Sequence, residues 1–88
     1  FGLGAIGERI AHRAAGFETE VAYHGRTRKA EAPWVYHPTL QGLAQWADVL
    51  IVAARADATN RRVVDREVLA ALGADGIVVN IARGSLID

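Results

Sequence analysis

Three groups of residues have types and spacings that suit chemistry. Gly2, Gly4 and Gly7 stand in a Gly-x-Gly-x-x-Gly pattern that opens a helix-period segment. Each glycine answers a different need. Gly2 permits a tight turn, Gly4 lets the backbone approach a pyrophosphate, and Gly7 lets the helix pack close to a sheet. The amides of the helix start, at Ala5 and Ile6, would then face the phosphates, where the helix dipole favours negative charge. The rival reading is a glycine-rich turn without a ligand. A strand at the right distance downstream weighs against it.

The second group lies at the end of that strand. His24 falls twenty residues past Gly4, where a dinucleotide site usually carries an acid for the ribose hydroxyls. No acid stands there, and Arg26, Thr27, Arg28 and Lys29 follow. A carboxylate would repel a 2′-phosphate, whereas a guanidinium and a hydroxyl bind one. The expected cofactor is therefore NADPH, with Arg26 and Thr27 as main contacts and Arg28 in support, and NAD as the lesser alternative. The same residues also read as a solvated basic loop. The third group is Asn80-Ile81-Ala82-Arg83-Gly84, after an apolar run. Ligands of open α/β sheets bind beyond the carboxyl ends of strands. An arginine there can grip a substrate carboxylate with two charge-assisted bonds. In isolation it reads more readily as a surface arginine in a turn.

The elements that must position these groups alternate between helical and extended patterns, which predicts an α/β fold with a doubly wound parallel sheet. A first helix is expected from Ala5 to Ala15, with Ile6, Ile10, Ala11 and Ala14 as its apolar stripe and Gly16 as its stop. Thr19 to His24 reads as a strand. Pro33 and Pro38 leave room for only a short edge strand around Val35-Tyr36. Thr39 can cap a second helix over Leu40 to Ala47, buried along Leu40, Leu43, Ala44 and Ala47. Val49 to Ala53 and Ile77 to Ile81 are continuous apolar runs, the pattern of strands covered on both faces. A third helix is expected over Asp65 to Leu72. Only Phe1 precedes the glycines, and Leu86-Ile87-Asp88 opens an element without finishing it. Residues 1–88 are therefore expected to be part of a dinucleotide-binding domain whose first strand lies before them. Such a piece is not expected to fold stably alone.

Composition narrows the classes. The 88 residues carry ten basic and ten acidic side chains, so no net field favours nucleic acid or an anionic membrane. The absence of cysteine excludes disulfides, thiolate catalysis and cysteine-ligated zinc. No apolar run approaches the roughly 18 residues of a membrane span. The start has no charged leader region, so a cytoplasmic setting is the expectation.

Taken together, these residues resemble the D-isomer-specific 2-hydroxyacid dehydrogenases. Leu72 to Asp88, with its Asn-x-Ala-Arg-Gly core at Asn80–Gly84 and its closing Leu-Ile-Asp, is similar to that family's signature. Ala47 to Val52, Thr59, Val64-Asp65 and Leu69 resemble the preceding block, and Gly2 to Gly7 the glycine motif. Tyr23-His24-Gly25-Arg26-Thr27 resembles the NADPH-using glyoxylate/hydroxypyruvate reductase branch. The resemblance implies a Rossmann-like fold, with a substrate domain elsewhere in the protein and a homodimeric assembly. It makes Arg83 the catalytic arginine on the substrate carboxylate and keto oxygen. Ile81 and Ala82 would line the nicotinamide side, and Ala53 and Ala54 the nicotinamide ribose. The substrate would be a small 2-keto or 2-hydroxy acid.

Two positions depart from the family pattern. Arg55 stands where a proline is common, in a loop one residue shorter, and Gly73 replaces a lysine or proline. The family's acid/base histidine and its glutamate would lie beyond Asp88. His12, His24 and His37 do not fit that role, nothing suggests a metal site, and Trp34 and Trp46 read as packing. The chain by itself is thus expected to be inactive. The rival functions are another dehydrogenase of this fold, such as a phosphoglycerate or formate dehydrogenase, and a dinucleotide-binding corepressor that acts through protein partners.

Overall fold

The computed structural model describes residues 1–57 and 59–87. The closing Asp88 of the signature lies outside them. Helix α1 covers Ala5–Gly16, followed by strands β1 (Ala22–Tyr23) and β2 (Val35–Tyr36). Helix α2 (Leu40–Trp46), strand β3 (Val49–Val52), helix α3 (Arg66–Leu72) and strand β4 (Ile77–Asn80) complete the regular elements, and a single 3₁₀ turn follows at Gly84–Leu86. Both strand pairs are parallel. β1 lies beside β2 with Ala22 opposite Val35, and β3 beside β4 with Val49 opposite Ile77. Helices joining parallel strands make this an α/β fold of the Rossmann type.

The helix starts follow local chemistry. Thr39 caps α2 by accepting from Gly42 N through its hydroxyl at 3.0 Å. Asp65 caps α3 by accepting from Val68 N at 3.0 Å, so it stands just outside the helix. Gly73 ends α3 with φ 93°, a backbone that only glycine adopts cheaply, which accounts for glycine at that departure from the family pattern. α1 keeps Gly16 as its last residue, and the reversal falls at Glu18 with φ 63°. The helix thus runs one residue beyond its expected end at Ala15, and the left-handed turn falls at Glu18 instead of Gly16.

One core lies between α2, α3 and one face of β3–β4. Leu40, Leu43, Ala44, Leu50, Val52, Val64, Val68 and Leu86 are buried together there. The whole expected α2 stripe is buried, Ala47 included. A smaller cluster joins Leu3 and Ala11 to Tyr23, with Trp34 and Tyr36 at its margin.

Three expectations need correction. First, β3 and β4 are not covered on both faces. Val49, Ile77 and Val79 are exposed, because α2 and α3 both pack on the face that carries Leu50 and Val52. Second, Ile6 is not part of the buried helix stripe, being 63% exposed. It sits on the first turn of α1 and lines the cleft over the glycine turn. Third, the strand expected from Thr19 to His24 pairs only at Ala22 and Tyr23, matching the two residues that the proline-flanked β2 offers.

The two strand pairs are tied through Phe1 and Gly2. Phe1 N donates to Ile51 O at 2.8 Å and Ala53 N donates to Phe1 O at 2.8 Å. On the other side Gly2 N donates to His24 O at 2.8 Å. Below this tie an apolar cleft of about 640 Å³ separates α1 and β1 from β3. Among the described residues, no helix is long and apolar enough to cross a membrane.

Candidate functional site

The glycine turn is built backbone against backbone. Gly2 adopts φ 91°, and a Cβ on it would lie 2.4 Å from Ala54 Cα. A Cβ on Gly7 would lie 2.1 Å from the Gly2 carbonyl oxygen and 3.6 Å from Ala53 Cβ. Both distances are too short for any side chain, so the first and third glycines are required by packing. Gly4 differs, because a Cβ there would meet nothing within 4 Å. Its surroundings are open, as the approach of a phosphate requires. Gly4 is also the N-cap of α1, and no side chain caps the helix there. Glu8 N takes the Gly4 carbonyl at 2.8 Å.

A cleft of about 1160 Å³ opens over this turn. That volume exceeds the roughly 300–1,000 Å³ of ordinary small-molecule pockets and suits a dinucleotide. Gly2, Gly4, Ala5 and Ile6 line one wall, His24, Arg26 and Thr27 another, and Ala53, Ala54, Thr59, Ile81, Ala82 and Arg83 the rest. Thirteen of the fifteen site residues expected from the sequence thus meet in one cleft. Gly7 is set back beneath the turn, against Gly2. Arg28 does not line the cleft, whereas Lys29 does. Of the two basic residues that close the loop, Lys29 is thus the one placed on the cleft wall.

That loop is braced by two tyrosines that bear no obvious chemistry in the sequence. The buried Tyr23 hydroxyl donates to Lys29 O at 3.2 Å and accepts from Lys29 N at 2.9 Å. The Tyr36 hydroxyl donates to Gly25 O at 3.0 Å. Together they fix both ends of Gly25–Lys29, which carries Arg26 and Thr27. A tyrosine rather than a phenylalanine on each of two short strands beside a polar loop is the signal that could have shown this. The His24 ring stacks between Phe1 and Tyr36, with centroids at 5.8 and 6.0 Å, and its Nδ1 bonds His37 O at 2.8 Å. His24 thus holds the strand ends together at the cleft wall. Arg26 reaches across the cleft mouth. Its guanidinium forms an ion pair with Asp57 and donates to Thr59 Oγ1 at 2.8 Å.

The opposite end is fixed through the backbone. Ile81 N donates to Val52 O at 3.1 Å, which extends the β3–β4 ladder by one residue. The Asn80 side chain closes the next turn, accepting from Ala82 N at 2.9 Å and donating to Arg83 O at 3.0 Å. The 3₁₀ turn then docks on the Arg62–Val64 segment, with Arg62 N donating to Ser85 O and Val64 N to Leu86 O. Leu86 and Val64 are fully buried at that junction. Arg83 is left exposed at the cleft edge, anchored on both sides but with its side chain free to meet an anion. No group of metal-binding side chains occurs among the described residues.

Residues 1–88 match the family described as D-isomer specific 2-hydroxyacid dehydrogenase, NAD binding domain. The chain belongs to this family. Among relatives of these dehydrogenases, glyoxylate/hydroxypyruvate reductase A of Arabidopsis thaliana is 45% identical over 99% of the chain. The 2-ketogluconate reductase of Gluconobacter oxydans is 44% identical over the same share. The NADPH-dependent glyoxylate/hydroxypyruvate reductase of Sinorhizobium meliloti, solved with NADP and malonate, superposes over the whole chain with a TM-score of 0.97 at 44% identity. The chain spans 28% of the length of each of these three. The cradle described above fits the family's cofactor, because the turn is closed to side chains at Gly2 and Gly7 and open at Gly4.

Proposed function

We propose that the complete protein reduces small 2-keto acids of the glyoxylate/hydroxypyruvate type, with NADPH as the preferred cofactor. The observation that carries this reading is the convergence of the glycine turn, the Gly25–Lys29 loop and Arg83 on one cleft. A nicotinamide dinucleotide supplies the hydride when bound. The amides at the start of α1 and the open backbone at Gly4 receive its pyrophosphate. Arg26 and Thr27 take the 2′-phosphate, with NAD the weaker ligand. Ala53, Ala54, Ile81 and Ala82 border the nicotinamide end. Arg83 holds the substrate carboxylate as a fork and orients the keto carbon. The proton comes from a histidine outside residues 1–88, in keeping with the exterior or structural positions of His12, His24 and His37.

The family resemblance supports a cytoplasmic homodimer with its substrate domain elsewhere in the protein. The first strand of the sheet would run between β1 and β3, where Phe1 bonds the β3 side and Gly2 the β1 side. A sugar acid such as 2-ketogluconate is the second reading, favoured by the Gluconobacter relative. The test is nicotinamide absorbance in the complete protein, with hydroxypyruvate, glyoxylate and 2-ketogluconate offered in turn with NADPH and NADH. A higher kcat/KM with NADPH and hydroxypyruvate is expected. Preference for NADH would remove the phosphate-binding role of Arg26 and Thr27. Cofactor binding without turnover of any of the three acids would overturn the reductase reading and move weight to a corepressor-like protein.

A further inference from the structure

Arg26 is offered to a 2′-phosphate, yet its guanidinium already has an anionic partner. It pairs with the Asp57 carboxylate and donates to Thr59 Oγ1, residues 31 and 33 positions further along the chain. The contact therefore joins the β1–β2 loop to the β3–α3 loop across the mouth of the cleft. Asp57 is held in place for this contact. Its Oδ1 accepts from Thr59 N at 2.8 Å and from Thr59 Oγ1 at 2.6 Å, while its own N donates to Asn60 Oδ1 at 2.9 Å. Asn60 in turn donates from Nδ2 to Arg55 O at 2.7 Å. The Thr59 hydroxyl and the Arg26 guanidinium hold the Asp57 carboxyl at about 2, so it is an anion throughout the neutral range.

We propose that Asp57 is a specificity-determining residue, an internal anion that occupies Arg26 and that a 2′-phosphate must displace. The inference rests on the reading of Arg26 as a 2′-phosphate contact. A dinucleotide without that phosphate leaves the Arg26–Asp57 pair intact and gains nothing from Arg26. A dinucleotide with it must break the pair, and Thr59 keeps the freed carboxylate beside the incoming charge. Asp57 thus moderates a preference that Arg26 creates. Because the two side chains are 66% and 35% exposed, solvent screens the pair and bounds the effect.

The test is calorimetric titration of the complete protein with NADP⁺ and NAD⁺. Asp57→Asn keeps an oxygen for the Thr59 amide and removes only the charge. The expected result is a dissociation constant for NADP⁺ about fivefold lower, with NAD⁺ changed by less than about twofold. In an Arg26→Gln background the same substitution should shift NADP⁺ by less, since only the repulsion between Asp57 and the 2′-phosphate is then relieved, and should leave NAD⁺ unchanged. If Arg26→Gln weakens NADP⁺ while Asp57→Asn leaves the NADP⁺/NAD⁺ ratio unchanged, the role of Asp57 is overturned and that of Arg26 stands. Weaker NADP⁺ binding in Asp57→Asn would also overturn it, since Asp57 would then be positioning Arg26. No change of the ratio in Arg26→Gln would overturn the reading of Arg26 itself.

Discussion

At the Arg26 end of the cleft the working side chains hang from an exposed loop, whereas at the Arg83 end the chain from Asn80 to Leu86 is fastened to the core. The loop Gly25–Lys29 is held by two tyrosine hydroxyls and by side-chain contacts with Asp57 and Thr59. The segment after β4 is held by ladder and turn bonds of the main chain and by the burial of Leu86. Exposed ion pairs are screened by solvent and contribute little, while a buried leucine contributes several kcal/mol. Residues at the first end can therefore change with little cost to the fold. At the second end Leu86 and the turn-closing Asn80 cannot, whereas the exposed Ile81, Arg83, Gly84 and Ser85 are not held by packing. Under the proposed function, cofactor choice and chemistry would sit at opposite ends of one cleft, and this separation suits that division.

The largest expected effect tests the buried end. Leu86→Ala should cost about 3 kcal/mol of stability in the complete protein, read by denaturant unfolding. It should also lower kcat/KM, because the turn that presents Arg83 loses its anchor. Unchanged stability would break the comparison. Next comes the arginine itself. Arg83→Lys should leave unfolding unaltered and reduce kcat/KM by about 2–3 kcal/mol of transition-state stabilisation, since a point charge does not reproduce the fork. A near-normal rate would remove Arg83 from the mechanism. The smallest effect sharpens the other end. Tyr36→Phe removes one hydrogen bond to Gly25 O and should cost about 1 kcal/mol or less of stability. It should weaken NADP⁺ binding more than NAD⁺ binding, and equal weakening would mean the loop does not discriminate between them.

Much of this was legible in the residues. The alternation of helical and extended patterns, the Thr39 cap, the α2 stripe and the glycine turn all depend on neighbours within a few positions, and all stand in the structure. What stayed hidden depends on distant partners. Ile6 fits the helical stripe by spacing, but on the first turn of α1 it faces the open cleft and is exposed. Val49 and Val79 belong to apolar runs, yet which face is covered depends on where α2 and α3 dock. Arg28 and Lys29 differ by one position, and the loop geometry that selects between them comes from Tyr23. The Arg26–Asp57 pair spans two loops, and no local pattern announces it.

The contact of Gly7 with the Gly2 carbonyl, and of Gly2 with Ala54, has a consequence for redesign. Gly2, Gly7 and the Ala53–Ala54 backbone meet there with nothing larger than a methyl group at hand, so the first and third glycines behave as one joint, while Gly4 stands outside it. Enlarging Gly7 would push Gly2, and enlarging Gly2 would push Ala54, so the displacement would travel into the segment that follows β3. Attempts to retune cofactor choice should therefore leave the joint alone and work along the rim, where one charge can be exchanged without moving the frame.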